Sequence, residues 1–186
     1  IPLRFMPCFP EKAVRTAHAV QVEPETGAAA LNWVREAVDA HASDAALLCL
    51  VDGSYDRPAF WTGLPAHTTA LVRTAKNRKL LHLPPPYAGR GRRRKYGERA
   101  PAPQDYLARA DGWQTFTFPV RGHERRMVAR VEGPFLRERL AETPLMLIAV
   151  RGQTWHANDR QRRREPVFYL VNAVQGDDGQ WRLPLP

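Results

Sequence analysis

In the stretch ALLCLVDGSYD, Ala46 to Asp56, an uncharged run ends on a carboxylate, a glycine and then a second carboxylate. A carboxylate held at the carboxyl end of a rigid strand is the hard oxygen ligand that Mg²⁺ takes. Paired ions of this kind activate water and stabilise a departing oxygen in phosphodiester cleavage. Asp52 is therefore the candidate metal ligand and the candidate catalytic residue. The same residues also spell an ordinary strand-ending Asp-Gly turn, so both readings stand at this point. One aspartate does not make a two-metal site, and its partners must come from other elements.

Other chemistries find less support. Ser54 is not flanked by a G-x-S-x-G elbow, and His41, His67 and His82 have no spacing that relates them to it. His123 and His156 are isolated, and no paired Cys or His spacing marks a zinc site. The phrase GRGRRRKYG lacks the G-K-[ST] ending of a phosphate loop and does not open a helix. Cys8 and Cys49 are too few for a disulfide framework, and Cys49 reads as a small core residue within an apolar strand.

Charge points to a polyanion. The 186 residues hold 28 Lys and Arg against 19 Asp and Glu, a net charge of +9, the footprint of a protein that meets phosphates; an acidic membrane surface also fits. Ten of these cations, against one Glu, fall between Arg73 and Arg99 in a Pro- and Gly-rich loop or extended arm. Arg90, Arg92, Arg93, Arg94 and Lys95 are the candidate phosphate contacts, and Lys76, Arg78 and Lys79 extend the track. The plain alternative is a solvated linker. Arg160, Arg162, Arg163 and Arg164 make a second basic group, and any of these residues also reads as ordinary surface. No apolar run reaches the length that crosses a bilayer, and no secretory signal opens the chain. The chain reads as soluble and intracellular, with no membrane partner.

The elements that must hold Asp52 are legible as patterns. Pro2, Pro7 and Pro10 predict an extended opening over the first twenty residues. Apolar spacing at Ala30, Leu31, Val34, Ala37 and Val38 predicts an amphipathic helix over 25–41, with Arg35, Glu36 and Asp39 pointing away. Leu47 to Val51 predicts a strand buried on both faces. RPAFWTGLP predicts one or two helical turns stopped by Gly63 and Pro65, with Asp56 as its cap, and Thr68 to Ala75 a second strand. Tyr55 and Trp61 read as core residues, with base stacking as the alternative. After the arm, Trp113 to Val120 and Arg125 to Gly133 predict a hairpin turning at RGHE. PLMLIAVRG and PVFYLVNAV predict buried strands, joined by the basic connection DRQRRREP. With 44% hydrophobic residues the chain has the means for a core of α/β type.

Three phrases in order, LLCLVDGSYDRPAFWTGLPAHTTALVRTAKNRKLLHLP, GRGRRRKYGERAPAPQDYLA and REPVFYLVNAV, resemble the central part of the DDE transposases of bacterial insertion sequences. The similarity runs over about 1–173 and is most specific over 51–99. It implies an α/β, ribonuclease-H-like mixed sheet, partial here, with a β-rich insertion. Residues 1–99 would be core and basic arm, 100–165 the insertion, and 166–186 the strand returning to the core sheet. It also implies metal-dependent cleavage of DNA and transfer of its 3′ end during transposition and recombination. Asp52 would be the second of three acidic ligands of Mg²⁺, transposon ends and target DNA the partners, and the bacterial cytoplasm, near the nucleoid, the setting; the oligomeric state, a homo-oligomer among the options, is left open. The first Asp would lie before Ile1 and the last Glu on a helix beyond Pro186. Glu165 precedes a strand and is not its substitute. The ends accordingly read as those of a fragment unable to cut DNA alone. A non-catalytic nucleic-acid-binding module and an inactive transposon remnant are the alternatives.

Overall fold

The structure, a computed structural model, describes residues 23–184 apart from 88, 90, 158 and 159; for 154–157 and 160–163 only the backbone is described. The extended opening, Cys8 and Arg90 lie outside the described residues. The chain is mixed α/β and rich in strands, and it divides into two compact units between Val72 and Arg73. Among the described residues no helix is long and apolar enough to cross a membrane.

In the first unit, helix α1 (Glu23–Asp39) opens with Glu23 and Glu25 in its first turn, where carboxylates complement the partial positive charge of exposed N–H groups. It is rotated from the expected orientation. Thr26, Ala28 and Arg35 are its buried residues, whereas Val34 is exposed. Arg35, expected to face solvent, folds over the end of its own helix: its guanidinium donates to the carbonyls of Ala42 and Ala45 and to the Asp39 carboxylate. Those carbonyls lie just past the helix end, where backbone acceptors have no intrahelical donors, and the guanidinium supplies them. Asn32 ties the same helix to the next segment, donating to Ala28 O at 2.9 Å and Gly63 O at 2.8 Å.

Strand β1 (Leu47–Val51) pairs in parallel with β2 (Thr68–Thr74), Leu47 opposite Thr68 through Val51 opposite Val72. The expected burial on both faces of β1 is not met. Leu48 and Leu50 are 58% and 67% exposed, so β1 has one packed face and one apolar face open to water. The crossover holds a 3₁₀ turn (Gly53–Tyr55) and helix α2 (Pro58–Thr62). Pro58 starts α2 with a preset φ and no N–H to waste, and Gly63 ends it. Asp56 does not cap α2: Arg57 holds the cap position, and the buried Asp56 carboxylate accepts the Trp61 indole N–H at 3.3 Å. Phe60 and Trp61 are core, and the Tyr55 ring stands edge-on to Phe60 with centroids 5.5 Å apart.

The second unit is built on an antiparallel sheet. Strands β3 (Gln114–Val120), β4 (His123–Arg137), β5 (Leu140–Val150) and β8 (Val167–Asn172) pair in the order β8-β5-β4-β3. The hairpin turn falls at Arg121 and Gly122, both at positive φ, the geometry whose twist matches two tightly joined strands. Leu145, Leu147 and Ala149 of β5 share a face with Leu170 and Phe168 of β8, and all five are buried. Tyr106, from a 3₁₀ segment (Pro103–Ala108), and Phe135 add to that core, their ring centroids 6.1 Å apart. The basic stretch expected as a connection is instead half of a hairpin: β6 (Gln153–Ala157) pairs with β7 (Arg160–Arg164). Alternation is invisible in a run of arginines, which is why its strand character did not show. A short pair, β9 (Val174–Gln175) with β10 (Trp181–Arg182), follows.

Candidate functional site

Asp52 stands where the sequence predicts, one residue past the end of β1, and it is exposed. Its Oδ1 accepts two hydrogen bonds from one residue, the Ser54 N–H at 2.8 Å and the Ser54 hydroxyl at 2.7 Å, so the side chain caps the 3₁₀ turn. This is the Asx geometry that makes Asp and Asn turn residues. The carboxylate thus ends a strand and shapes the turn that follows it. Among the described residues no three of His, Cys, Asp and Glu converge on a point that could hold a metal ion. A two-metal centre needs several oxygens at close range, so these residues alone do not fit Mg²⁺ catalysis, and Asp52 supplies a single carboxylate towards it. Asp56 is buried against Trp61 and is no second ligand.

Cys49 is half-buried on β1, and desolvation pushes its thiol above the ordinary range. A raised thiol pKa leaves little thiolate at neutral pH, which suits a packing residue.

The basic track belongs to the second unit and is held differently along its length. Its base is clamped: Ala100 N–H donates to Leu80 O at 3.0 Å, His82 N–H to Glu98 O at 2.9 Å, and Leu81 bridges both Arg99 and Leu136. Leu80 and Ala100 are buried beneath this clasp. Arg92, Arg93, Arg94 and Lys95 lie beyond it and are exposed, with the loop turned by Gly89 and Gly91 at positive φ. Of the two forms expected, a loop or an extended arm, it is a loop, closed on a fixed stem, with Arg92 to Lys95 exposed beyond that stem. Tyr87 donates its hydroxyl to Gly91 O at 2.8 Å across that end.

The track's other members have local partners. Arg78 is half-buried, and its Nε donates to Thr74 Oγ1 at 3.3 Å. Lys79 pairs with Glu138 at 3.7 Å, both side chains exposed, a contact of little weight in water. Lys76 is exposed, and its backbone carbonyl accepts the Gln104 N–H at 3.0 Å. Of the second basic group, Arg164 is exposed.

One cluster was not anticipated. Arg130, on β4 and 4% exposed in its side chain, lies between two rings, 5.4 Å from the Trp113 centroid and 5.7 Å from that of Tyr106. Arg151 covers Trp113 at 4.0 Å, and Arg109 covers Tyr106 at 4.6 Å. Glu132 is ion-paired with Arg130 and lies 3.7 Å from Arg109. Burial, followed by the nearby Glu132 charge, holds the Tyr106 hydroxyl above its ordinary range. Tyr106, Arg109 and Trp113 lie within eight residues, but Arg130 comes from β4 and Arg151 from just past the end of β5, so no local spacing could have announced the cluster. Together these residues rivet the base of the β3–β4 hairpin to the 3₁₀ segment.

Comparison with family models, with curated proteins and with solved structures finds no match to this chain.

Proposed function

We propose that this chain is the central part of a DDE-type transposase catalytic core, with a ribonuclease-H-like arrangement around β1 and β2. On this reading it serves DNA strand cleavage and transfer. Asp52 contributes one metal-binding carboxylate to a site that needs further carboxylates, and Arg92 to Lys95 hold the phosphate backbone. The observation that carries this reading is Asp52 itself, exposed at the carboxyl end of a strand in a parallel, helix-connected pair. The resemblance of 51–99 to such transposases and the net charge of +9 support it. A second reading, a nucleic-acid-binding module without catalysis, is favoured by the double hydrogen bond from Ser54 to Asp52 Oδ1. There the carboxylate only shapes the turn.

Both readings require the loop to meet phosphates, and that is measurable on the chain alone. Each phosphate neutralised adds about 0.9 to the slope of log affinity against log salt. Replacing Arg92, Arg93, Arg94 and Lys95 together by Gln is therefore expected to weaken duplex binding and to reduce that slope by about 3 to 4. These side chains are exposed, so the fold is expected to persist. An unchanged slope would remove the loop from the interface.

A further inference from the structure

Strand register sorts the residues of the second unit's sheet onto two faces. One is the core face described above. On the other, Phe116, Phe118 and Val120 of β3 stand opposite Met127, Arg125 and His123 of β4. Through Ala129 opposite Val150, and Val150 opposite Val167, the same face continues to Tyr169. Near Met146 and Val171 this second face is buried too, but toward the hairpin it opens: Phe116, Phe118 and Val120 are 44%, 39% and 38% exposed. A groove of about 890 Å³ runs there, with Phe118, Val120, Met127, Val150, Val167 and Tyr169 along it.

The groove's charged residues are Arg121, Arg125, Arg126, Arg151 and Arg164, against Glu124 and Glu165. The hairpin is held by residues that themselves line the groove. Arg151 stacks on Trp113, its N–H bonds Val128 O at 2.9 Å, and the Gln153 amide donates to Arg126 O. The floor is thus preformed, apolar and aromatic, and the rim is cationic.

We propose that this groove binds a single-stranded segment of nucleic acid, with base faces on Phe118 and Tyr169 and phosphates on the arginine rim. An aromatic floor takes unstacked bases of any sequence, and guanidinium groups grip phosphates in pairs of hydrogen bonds while also stacking on bases. A duplex hides its base faces and leaves the floor unused. A second copy would bring the same cationic rim against this one. Residues 1–22 carry Arg4, Lys12 and Arg15 against Glu11, which is the wrong charge for a cover. The proposal takes its ligand class from the function proposed above, but Asp52 and metal ions have no part in it.

The test is fluorescence anisotropy of the full chain in EDTA, with a labelled oligothymidine strand, a duplex of the same length and polyglutamate as competitor. The strand is expected to bind more tightly than the duplex. Phe118→Ala is expected to weaken the strand about 10-fold while sparing the duplex. Arg125→Gln with Arg126→Gln, both exposed and outside the core, is expected to lower the strand's salt slope by about 1.4. Wild-type strand affinity and slope in both variants would overturn the proposal, as would failure of the chain to bind the strand. A loss of polyglutamate affinity in Phe118→Ala equal to that of the strand would overturn it in favour of an acidic peptide. If strand binding falls only in the variant of Arg92 to Lys95, the groove is wrong and the function proposed above is untouched.

Discussion

Arg130→Met is expected to lower the unfolding free energy by about 3–5 kcal/mol, the cost of leaving one partner of a buried ion pair without the other. Arg130 is not a surface charge that water can replace. Its Nε donates to Glu132 Oε1 at 2.9 Å, its Nη1 to Asp111 O at 3.0 Å, and its plane lies between Trp113 and Tyr106. Gly112, at positive φ, fits beneath the guanidinium, so the chain around Asp111 is shaped to this side chain. Removal takes the close partner from a carboxylate that is only 20% exposed and leaves it with Arg109, 3.7 Å away and half exposed. The control is the double replacement with Glu132→Leu, which deletes both charges and is expected to recover much of the loss. Urea unfolding followed by tryptophan fluorescence measures both. Equal losses in the single and double variants would mean that stacking, not the ion pair, holds this corner.

The second large effect belongs to the first unit. Phe60→Ala is expected to cost about 3–5 kcal/mol, through lost burial and the cavity left behind. Phe60 is fully buried, edge-on to Tyr55 and to Trp61 with centroids 5.5 and 6.0 Å away, and α2 has only five residues with which to hold its place. A helix that short has no stability of its own, so its anchors decide whether the crossover between β1 and β2 keeps its shape. Phe60→Leu keeps most of the volume and is expected to cost less. A midpoint of denaturation unchanged by Phe60→Ala would show that the crossover does not contribute to this unit's stability.

Much of this fold could be read before any coordinates, and the reasons differ by element. β2 and the β3–β4 hairpin announce themselves through apolar or alternating residues and a Gly turn, local signals that tertiary packing then reinforces. The position of α1 was legible to within two residues, but its buried face was not. Hydropathy places Arg35 in solvent, whereas the carbonyls of Ala42 and Ala45 draw it inside. β1 shows the opposite limit. LLCLV reads as a strand buried on both faces, yet composition carries no record of which neighbours cover it, and Leu48 and Leu50 are exposed. Asp56 illustrates a third: a cap and an indole acceptor look alike in one dimension, and only the fold of Trp61 over the turn separates them.

The candidate site divides in the same way. That Asp52 ends a strand was legible because strand and turn signals are adjacent. Its bond to Ser54 was also available in principle, since D-G-S is an Asx-turn phrase. The loop's cations were plain from charge alone, but the clasp at Leu80, Leu81 and Ala100 that closes the loop depends on Leu136, more than fifty residues later. The open groove beside the hairpin depends on four strands in register, which no single window of sequence contains.

The metal-ligand and turn-former accounts of Asp52 part company at one substitution. Asn caps such a turn about as well as Asp and accepts the same bonds from Ser54, but it carries no charge for a metal ion. Under the proposed transposase reading, the deciding measurement is Mg²⁺-dependent cleavage of transposon-end DNA by the full protein, with Asp52 or with Asp52→Asn. The account predicts that the variant folds and binds DNA as before while cleavage falls to background. Cleavage at the normal rate with Asn at this position would contradict it and leave the carboxylate as a turn former alone.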